Sequence, residues 1–282
     1  MGLKFTNTSF KLTGKVKIEI PTPTYSGKKS SNSTDSINPY TSTGPGISGA
    51  GINVNNINLI RNSQIIPTTG LTLRYDMDTI SNNTIFDRSG NTYNSTLYNA
   101  SVTTGIVNNG VYFNGTNAYA ATILESTSVM TVSYWGKVGT LNSGENFGIV
   151  YINGDAYQRL ACVISGSGGL GIAASFVGWH RASSNGYSGL FNDGLWHHFL
   201  FVVDKSNYLN SHVYLDGSEI TYNTGSTQSF VSDNTMYINR VNSVSLSADR
   251  YGAGTIDLLR IYNRILSAAE IQVLYDEARG YL

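Results

Sequence analysis

The sequence predicts an all-β sandwich, and three observations lead to that fold class. Hydrophobic residues make up 40% of the chain and charged residues only 13%, and much of the remainder is Gly, Ser, Thr and Asn, with 19 Tyr and just 5 Pro. Aromatic and β-branched residues interleaved with turn formers favour strands over helices. From Leu71 onward, short alternating runs recur between Gly, Asn, Asp and Ser: Val111-Tyr112-Phe113-Asn114-Gly115, Met130-Thr131-Val132-Ser133-Tyr134-Trp135 and His212-Val213-Tyr214-Leu215-Asp216-Gly217. That rhythm is the one of a two-sheet sandwich. At 282 residues the chain is long enough to bury a sizeable core.

Residues 1–70 have a different texture and read as an extended, low-complexity arm. Val16, Ile18 and Ile20 alternate with Lys15, Lys17 and Glu19, which allows one short strand, and Ile52, Val54, Ile57 and Leu59 allow another. Between them the chain is rich in Ser, Asn, Gly and Thr, with little to bury, so in isolation much of it is expected to be disordered. The arm carries Lys4, Lys11, Lys15, Lys17, Lys28, Lys29 and Arg61 against Glu19 and Asp35, while the whole chain is neutral. A basic arm on an acidic body suggests that the two meet different surfaces. Its Lys and Arg are too dilute for a nucleic-acid arm.

One helix is expected, at the end of the chain. Ser267-Ala268-Ala269-Glu270 is a capping box, Ile271, Leu274, Tyr275 and Ala278 form an apolar face, and Gly280 closes it. No apolar stretch reaches membrane-spanning length, so no membrane insertion is expected. Met1-Gly2-Leu3-Lys4-Phe5 lacks the hydrophobic core of an export signal. Cys162, the single cysteine, sits among Leu160, Ala161, Val163 and Ile164 and reads as a buried, inert thiol.

Six pieces occurring in order resemble one family. They are Asp87-Arg88-Ser89-Gly90-Asn91, the hairpin Val111 to Tyr119, Thr131-Val132-Ser133-Tyr134-Trp135, Trp196-His197-His198-Phe199, Tyr214-Leu215-Asp216-Gly217, and Gly254-Thr255-Ile256-Asp257-Leu258-Leu259-Arg260-Ile261-Tyr262 running on to Ser267. Together with the capped helix, residues 71–282 resemble a laminin G-like, concanavalin A-like lectin/glucanase domain of the pentraxin-related kind. The resemblance implies a jelly-roll β-sandwich. It also implies a structural Ca2+ near Asp257, with Asp87 or Asn91 beside it, although Leu258-Leu259 replaces the acidic residue usual after the aspartate. The residues themselves admit another reading, in which Asp87 opens an Asx-type turn and Asp257 caps backbone N–H groups.

The adjacent histidines His197 and His198 raise the question of a metal or catalytic pair. Successive side chains of a strand point to opposite faces, so the two cannot grip one ion from the same strand. Trp196 and one histidine are expected to face the sandwich core and the other histidine the opposite side. For hydrolysis, the glucanase pattern Glu-x-Asp-x-x-Glu is missing, and so is a Gly-x-Ser-x-Gly elbow around Ser165. No catalytic residue is assigned. The ligand-binding candidates are Trp179, His180, Arg181, Asn185 and Tyr187, in which an aromatic plane could take a sugar's C–H face and the polar groups its hydroxyls, although Trp179 also fits a core strand.

The function expected is therefore non-enzymatic. A virion surface protein, such as a capsid decoration, head-fibre or tail component, would dock on other virion or assembly subunits through residues 1–70 and display a lectin-like body toward cell-surface glycans. The alternatives are a secreted or cell-surface carbohydrate-binding module and, disfavoured, a glycoside hydrolase.

Overall fold

The computed structural model describes residues 65–141, 146–153, 155–165, 169–174, 178–182, 191, 193–207, 210–220, 223–224, 235–241 and 249–282. The chain divides into two units between Ser63 and Gln64. The short strands expected at residues 15–20 and 52–59 lie outside the described residues.

Two large antiparallel sheets carry the second unit, as the alternating runs predict. The first has eight strands, with Trp196–Asp204, Val129–Val138 and Ala253–Tyr262 side by side at its centre. His212–Leu215 and Ser218–Glu219 extend it on one side, and Asn109–Asn114 and Ser101–Thr104 on the other, while Leu71–Tyr75 also pairs with Ala253–Tyr262. The second sheet has ten strands. Its middle runs in the order Asp155–Ser165, Asn146–Asn153, Thr235–Ile238, Tyr119–Ile123 and Ser95–Tyr98. Gly178–Ala182 and Asn223–Thr224 lie at one end, and the hairpin of Ile80–Ser81 and Thr84–Ile85 at the other.

The core between the sheets comes from alternate residues of both. Val132 and Tyr134, Phe199 and Phe201, and Ile256, Leu259 and Ile261 from the first sheet meet Phe147, Ile149, Leu160, Cys162, Ile164, Met236 and Ile238 from the second. Tyr134 packs on Phe199 and Phe201 at ring separations of 5.5 and 6.0 Å. Cys162 is buried as expected, and burial pushes its thiol far above the ordinary range.

Strict alternation fails at the centre of the first sheet, in Ala253–Tyr262, and the failure is a bulge. Register with the neighbouring strand shifts between Asp257 and Arg260, and Leu258 takes a left-handed φ of 48°. The extra residue lets both Ile256 and Leu259 face inward. It also leaves Asp257 and Leu258 on the far side, with Leu258 packed against Trp135 and Ala278.

The far face of the first sheet is covered by the C-terminal helix, Ala268–Arg279. Its capping box is present: the Ser267 hydroxyl accepts from the Glu270 N–H, and the Glu270 carboxylate accepts from the Ser267 N–H at 2.9 Å. Gly280 ends the helix in a right-handed conformation (φ −70°), so it terminates the helix without the left-handed glycine cap. Ile271 and Leu274 pack on Leu200, Val202 and Tyr262, while Ala278 and Tyr275 pack on Trp135 and Trp196. Arg260, almost wholly buried, pairs with Glu277 of the helix at 2.6 Å.

This arrangement corrects the expectation for Trp196 and the histidines. Trp196 and His198 do not face the space between the sheets. They lie on the other face, against Trp135 and Tyr275, in the second core beneath the helix. The expectation took one buried face per sheet, but the helix makes this sheet buried on both. Substitution Ser267→Ala should therefore loosen the covering layer, and urea unfolding should show a loss of about 1 kcal/mol, the usual worth of an N-cap.

Candidate functional site

The C-terminal helix covers the centre of the first sheet's outer face, while Tyr112 on the flanking strand stays exposed. The outer face of the second sheet carries the most distinctive cluster among the described residues. In strand Ser95–Tyr98, Ser95 and Leu97 turn inward, so Tyr98 points out. Tyr98 pairs directly with Tyr119 on the next strand, and Ala121 of that strand pairs with Tyr237 on the third. Met236 and Ile238 fill the core, which fixes Tyr237 outward.

The rings of Tyr98 and Tyr119 stack, 4.5 Å apart and 13° from parallel. That separation is close to the spacing of neighbouring strands, so the rings stand side by side on the sheet. The Arg240 guanidinium lies 4.7 Å from the Tyr119 ring centre and 5.2 Å from that of Tyr237. Such cation–π contacts contribute about 0.5–2 kcal/mol each, most where water is excluded.

Asn239 brings Arg240 there. It is buried and takes a left-handed φ of 63°, which turns the chain out of strand Thr235–Ile238. Its side-chain amide donates to the carbonyls of Ala118 (3.2 Å) and Gly252 (2.7 Å), and its oxygen accepts from the Gly252 N–H (3.2 Å). A two-stranded ribbon follows, with Arg240 opposite Tyr251 and Val241 opposite Arg250. Val241 seals the ribbon onto Ala161 and Val163 of the sheet. Across the ribbon, one oxygen of Asp249 accepts from Arg240 Nε (3.0 Å), from an Arg240 terminal nitrogen (2.8 Å) and from the Tyr251 hydroxyl (3.1 Å). Burial opposes the charge on Arg240, yet the hydrogen bond and charge of Asp249 hold its pKa above the ordinary value.

Amides border the tyrosines. The Asn114 oxygen accepts the N–H groups of Thr116, Asn117 and Ala118, and its nitrogen donates to the side chain of Asn117. Asn99 donates to the Asn117 carbonyl at 3.3 Å. On the other side of Tyr98, the Leu97 N–H donates to the Asn83 carbonyl (2.7 Å), which sets the Asn82-Asn83 turn alongside. The result is an aromatic surface with donors and acceptors at its rim and an internally neutral ion pair behind it.

The residues singled out from sequence fall elsewhere. Trp179, His180 and Arg181 lie on strand Gly178–Ala182, at the opposite end of the second sheet from Tyr98. Asn185 and Tyr187 lie outside the described residues.

Asp87 organises a local turn. One oxygen accepts from the N–H groups of Arg74 (3.0 Å) and Ser89 (2.9 Å), and the other from the Ser89 hydroxyl (3.0 Å) and the Tyr93 N–H (3.2 Å). Asn91 donates to the Thr72 carbonyl at 2.8 Å and to the Ser89 hydroxyl at 3.1 Å.

Asp257 accepts from the N–H groups of Val107 (3.1 Å) and Leu258 (2.7 Å). Burial pushes its carboxyl up to about 7, and the charge of Asp78 adds to the rise against the pull of those N–H groups. Among the described residues no group of three His, Cys, Asp or Glu side chains is arranged to hold a metal.

The two histidines have separate structural work. His198 is 1% exposed, and its Nε2 lies 2.8 Å from the Ser133 hydroxyl. Burial lowers its pKa to about 3. His197 bridges two carboxylates, with Nδ1 2.8 Å from Asp216 and Nε2 3.1 Å from Asp193. The hydrogen bond to Asp216 raises its pKa against the effect of burial.

Comparisons with known proteins agree with this architecture. The profile of the concanavalin A-like lectin/glucanases superfamily matches residues 108–272. The chain belongs to that superfamily. A search of curated proteins found no match. Among solved structures, domain 4 of AbnA, an extracellular arabinanase from Geobacillus stearothermophilus in complex with arabinotriose, is 21% identical with a TM-score of 0.57, covering 73% of this chain and 98% of that one. A Trypanosoma rangeli sialidase is 18% identical (TM-score 0.56), covering 76% of this chain and 34% of that one, so this chain spans about a third of that protein's length. The binding domain of Paraclostridial Mosquitocidal Protein 1 is 16% identical (TM-score 0.53), covering 73% and 52%. At these identities the likeness is one of fold: a lectin/glucanase-like sandwich.

The opposite shifts of the histidines give opposite pH limbs. The unfolded chain protonates His198 near 6.5 but the folded one only near 3, so the stability from its neutral form is full above 6.5 and is lost as pH falls toward 3. His197, raised, contributes fully below 6.5 and loses its contribution as pH rises through its folded pKa. Urea unfolding across pH should show a shallower acid limb for His198→Gln and a shallower limb above 6.5 for His197→Gln.

Proposed function

We propose that this protein is a non-enzymatic glycan-binding protein of a virion surface. In this reading the sandwich of residues 71–282 presents the tyrosine cluster to sugars, and residues 1–70 dock on virion or assembly subunits. The observation that carries the binding reading is the Tyr98–Tyr119–Arg240 stack bordered by Asn99, Asn117 and the Asn82-Asn83 turn. Saccharides need both an apolar plane and a ring of hydrogen-bonding groups, and the cluster offers both. Binding is favoured over hydrolysis because the cluster's carboxylate, Asp249, is tied to Arg240 and Tyr251, whereas glycoside hydrolysis calls for two facing carboxyl groups. The virion reading is supported by the basic Ser/Asn/Gly-rich arm and by a single buried cysteine in place of a disulfide framework.

A structural Ca2+ belongs to the same proposal, at Asp257. Its carboxyl is buried and feels the charge of Asp78, whose oxygens accept from Asn108 and Asn109, and a bound cation would offset that unfavourable burial of charge. Asp87 and Asn91 suit such an ion less well, since the Asp87 oxygens already accept from four donors and the Asn91 amide donates to Thr72 and Ser89.

The test is a glycan array probed with the full chain and the Tyr119→Ala variant, each with calcium and with a chelator. Wild-type binding that falls about tenfold or more in the variant is expected, because Tyr119 is the ring on which Tyr98 and Arg240 are both seated. Calcium at a hundred times its Kd should raise stability by about 2.7 kcal/mol if the ion binds the folded chain alone. No binding by folded wild-type protein to any glycan would overturn the lectin reading. Removal of residues 1–63, which spares the stretch from Gln64 that belongs to the sandwich unit, should abolish incorporation into particles while leaving sugar binding unchanged.

A further inference from the structure

We infer that the tyrosine cluster selects neutral saccharides, with one sugar ring stacked on the open face of Tyr98 and Arg240 serving as a charge-compensated prop and not as an anion receptor. The inference rests on the glycan-binding reading and narrows it to a ligand class and a contact residue.

The charge argument comes first. An arginine that reads a sialic acid, uronate or sulfate must present its N–H fork to the anion. Here Nε and one terminal nitrogen both go to the same Asp249 oxygen, which also takes the Tyr251 hydroxyl. The guanidinium carbon lies 4.7 Å from the Tyr119 ring centre and 5.2 Å from that of Tyr237. An incoming anion would have to displace Asp249 or lie beside it, and like charges a few ångströms apart in a partly desolvated setting repel strongly. The ion pair is neutral as a unit, and its position behind Tyr119 keeps that ring fixed.

The geometry of stacking comes second. Tyr119 has Tyr98 on one side and the Arg240 guanidinium on the other, so neither face is free. Tyr98 ends the row. It is 42% exposed, and among the described residues no second ring or cation lies against it. The strand on the other side of Ser95–Tyr98 begins at the hairpin turn Asn82-Asn83, which the Leu97–Asn83 hydrogen bond holds in place. Both asparagines are exposed and take left-handed φ values of 49° and 58°, the conformation of a two-residue hairpin turn. A primary amide offers donors and an acceptor without net charge, which matches the two roles of a sugar hydroxyl.

The experiment is calorimetric titration of the full chain with neutral oligosaccharides (pentose- and hexose-based) and with sialylated, uronate-containing and sulfated ones, at low and high salt. Tyr98→Ala, Tyr98→Phe and Asp249→Asn are measured alongside, with thermal unfolding as a check of folding. We expect neutral sugars to bind with affinity insensitive to salt, Tyr98→Ala to weaken binding about tenfold or more, and Tyr98→Phe, which keeps the ring, to remain close to wild type. Asp249→Asn, which uncovers the Arg240 charge, should gain salt-sensitive binding to acidic sugars. Wild-type binding confined to acidic sugars and suppressed by salt would overturn this inference and leave the lectin reading standing. Neutral-sugar binding unchanged in folded Tyr98→Ala would overturn the assignment to this face. Absence of all sugar binding would overturn both readings.

Discussion

Strand Val129–Val138 sets Tyr134 against Phe199 and Phe201 on one side and Trp135 against His198 and Tyr275 on the other. Period-two alternation thus feeds two cores from one strand. The inner core joins the sheets. The outer core needs the C-terminal helix, and the Arg260–Glu277 pair ties that helix to the sheet through a nearly wholly buried guanidinium. A buried guanidinium left without its carboxylate would cost several kcal/mol, so the helix is held in one position as well as in contact. The bulge at Leu258 makes this possible by placing Leu259 in the inner core and Leu258 and Arg260 beneath the helix.

That division of labour bears on function. The helix occupies the centre of the first sheet's outer face, and the outer face of the second carries the tyrosine row. There the sequence places large rings where polar residues would ordinarily face water. The turn at Asn239 then lays a ribbon across them, bringing Arg240 between two tyrosines and Asp249 onto the arginine. The tyrosine row, the ribbon and the ion pair are mutually dependent: without Asn239 the ribbon loses its hold on Ala118 and Gly252, and without Asp249 the guanidinium faces the rings uncompensated.

The fold was largely legible in the sequence because its signals are local. Alternation in Val129–Val138 and Trp196–Asp204, the Asp216-Gly217 turn and the Ser267–Glu270 capping box each declare themselves within a few residues. The second core was not legible, because nothing in Trp196-His197-His198 says that a helix seventy residues on will cover one side. The tyrosine cluster was hidden for the same reason. Tyr98, Tyr119, Tyr237, Arg240 and Asp249 are scattered along the chain, and only strand register brings them together. The outward setting of Tyr237 could have been read from Met236 and Ile238, but its neighbours could not. Trp179 to Tyr187 stand out in the sequence because aromatic and polar residues are adjacent there. Adjacency along a strand separates side chains onto two faces, whereas adjacency across strands gathers them.

The central claim is that sugars meet this protein on the outer face of the second sheet, at the end of the tyrosine row. The most direct measurement is NMR of the full chain with isotope-labelled tyrosine rings during titration with a bound saccharide, the resonances being assigned by Tyr→Phe substitution. The account predicts that the ring signals of Tyr98, followed by those of Tyr119, shift progressively with saturation while those of Tyr262, beneath the helix, and Tyr275, on it, stay in place. Shifts confined to Tyr187, with Tyr98 and Tyr119 unmoved, would contradict it.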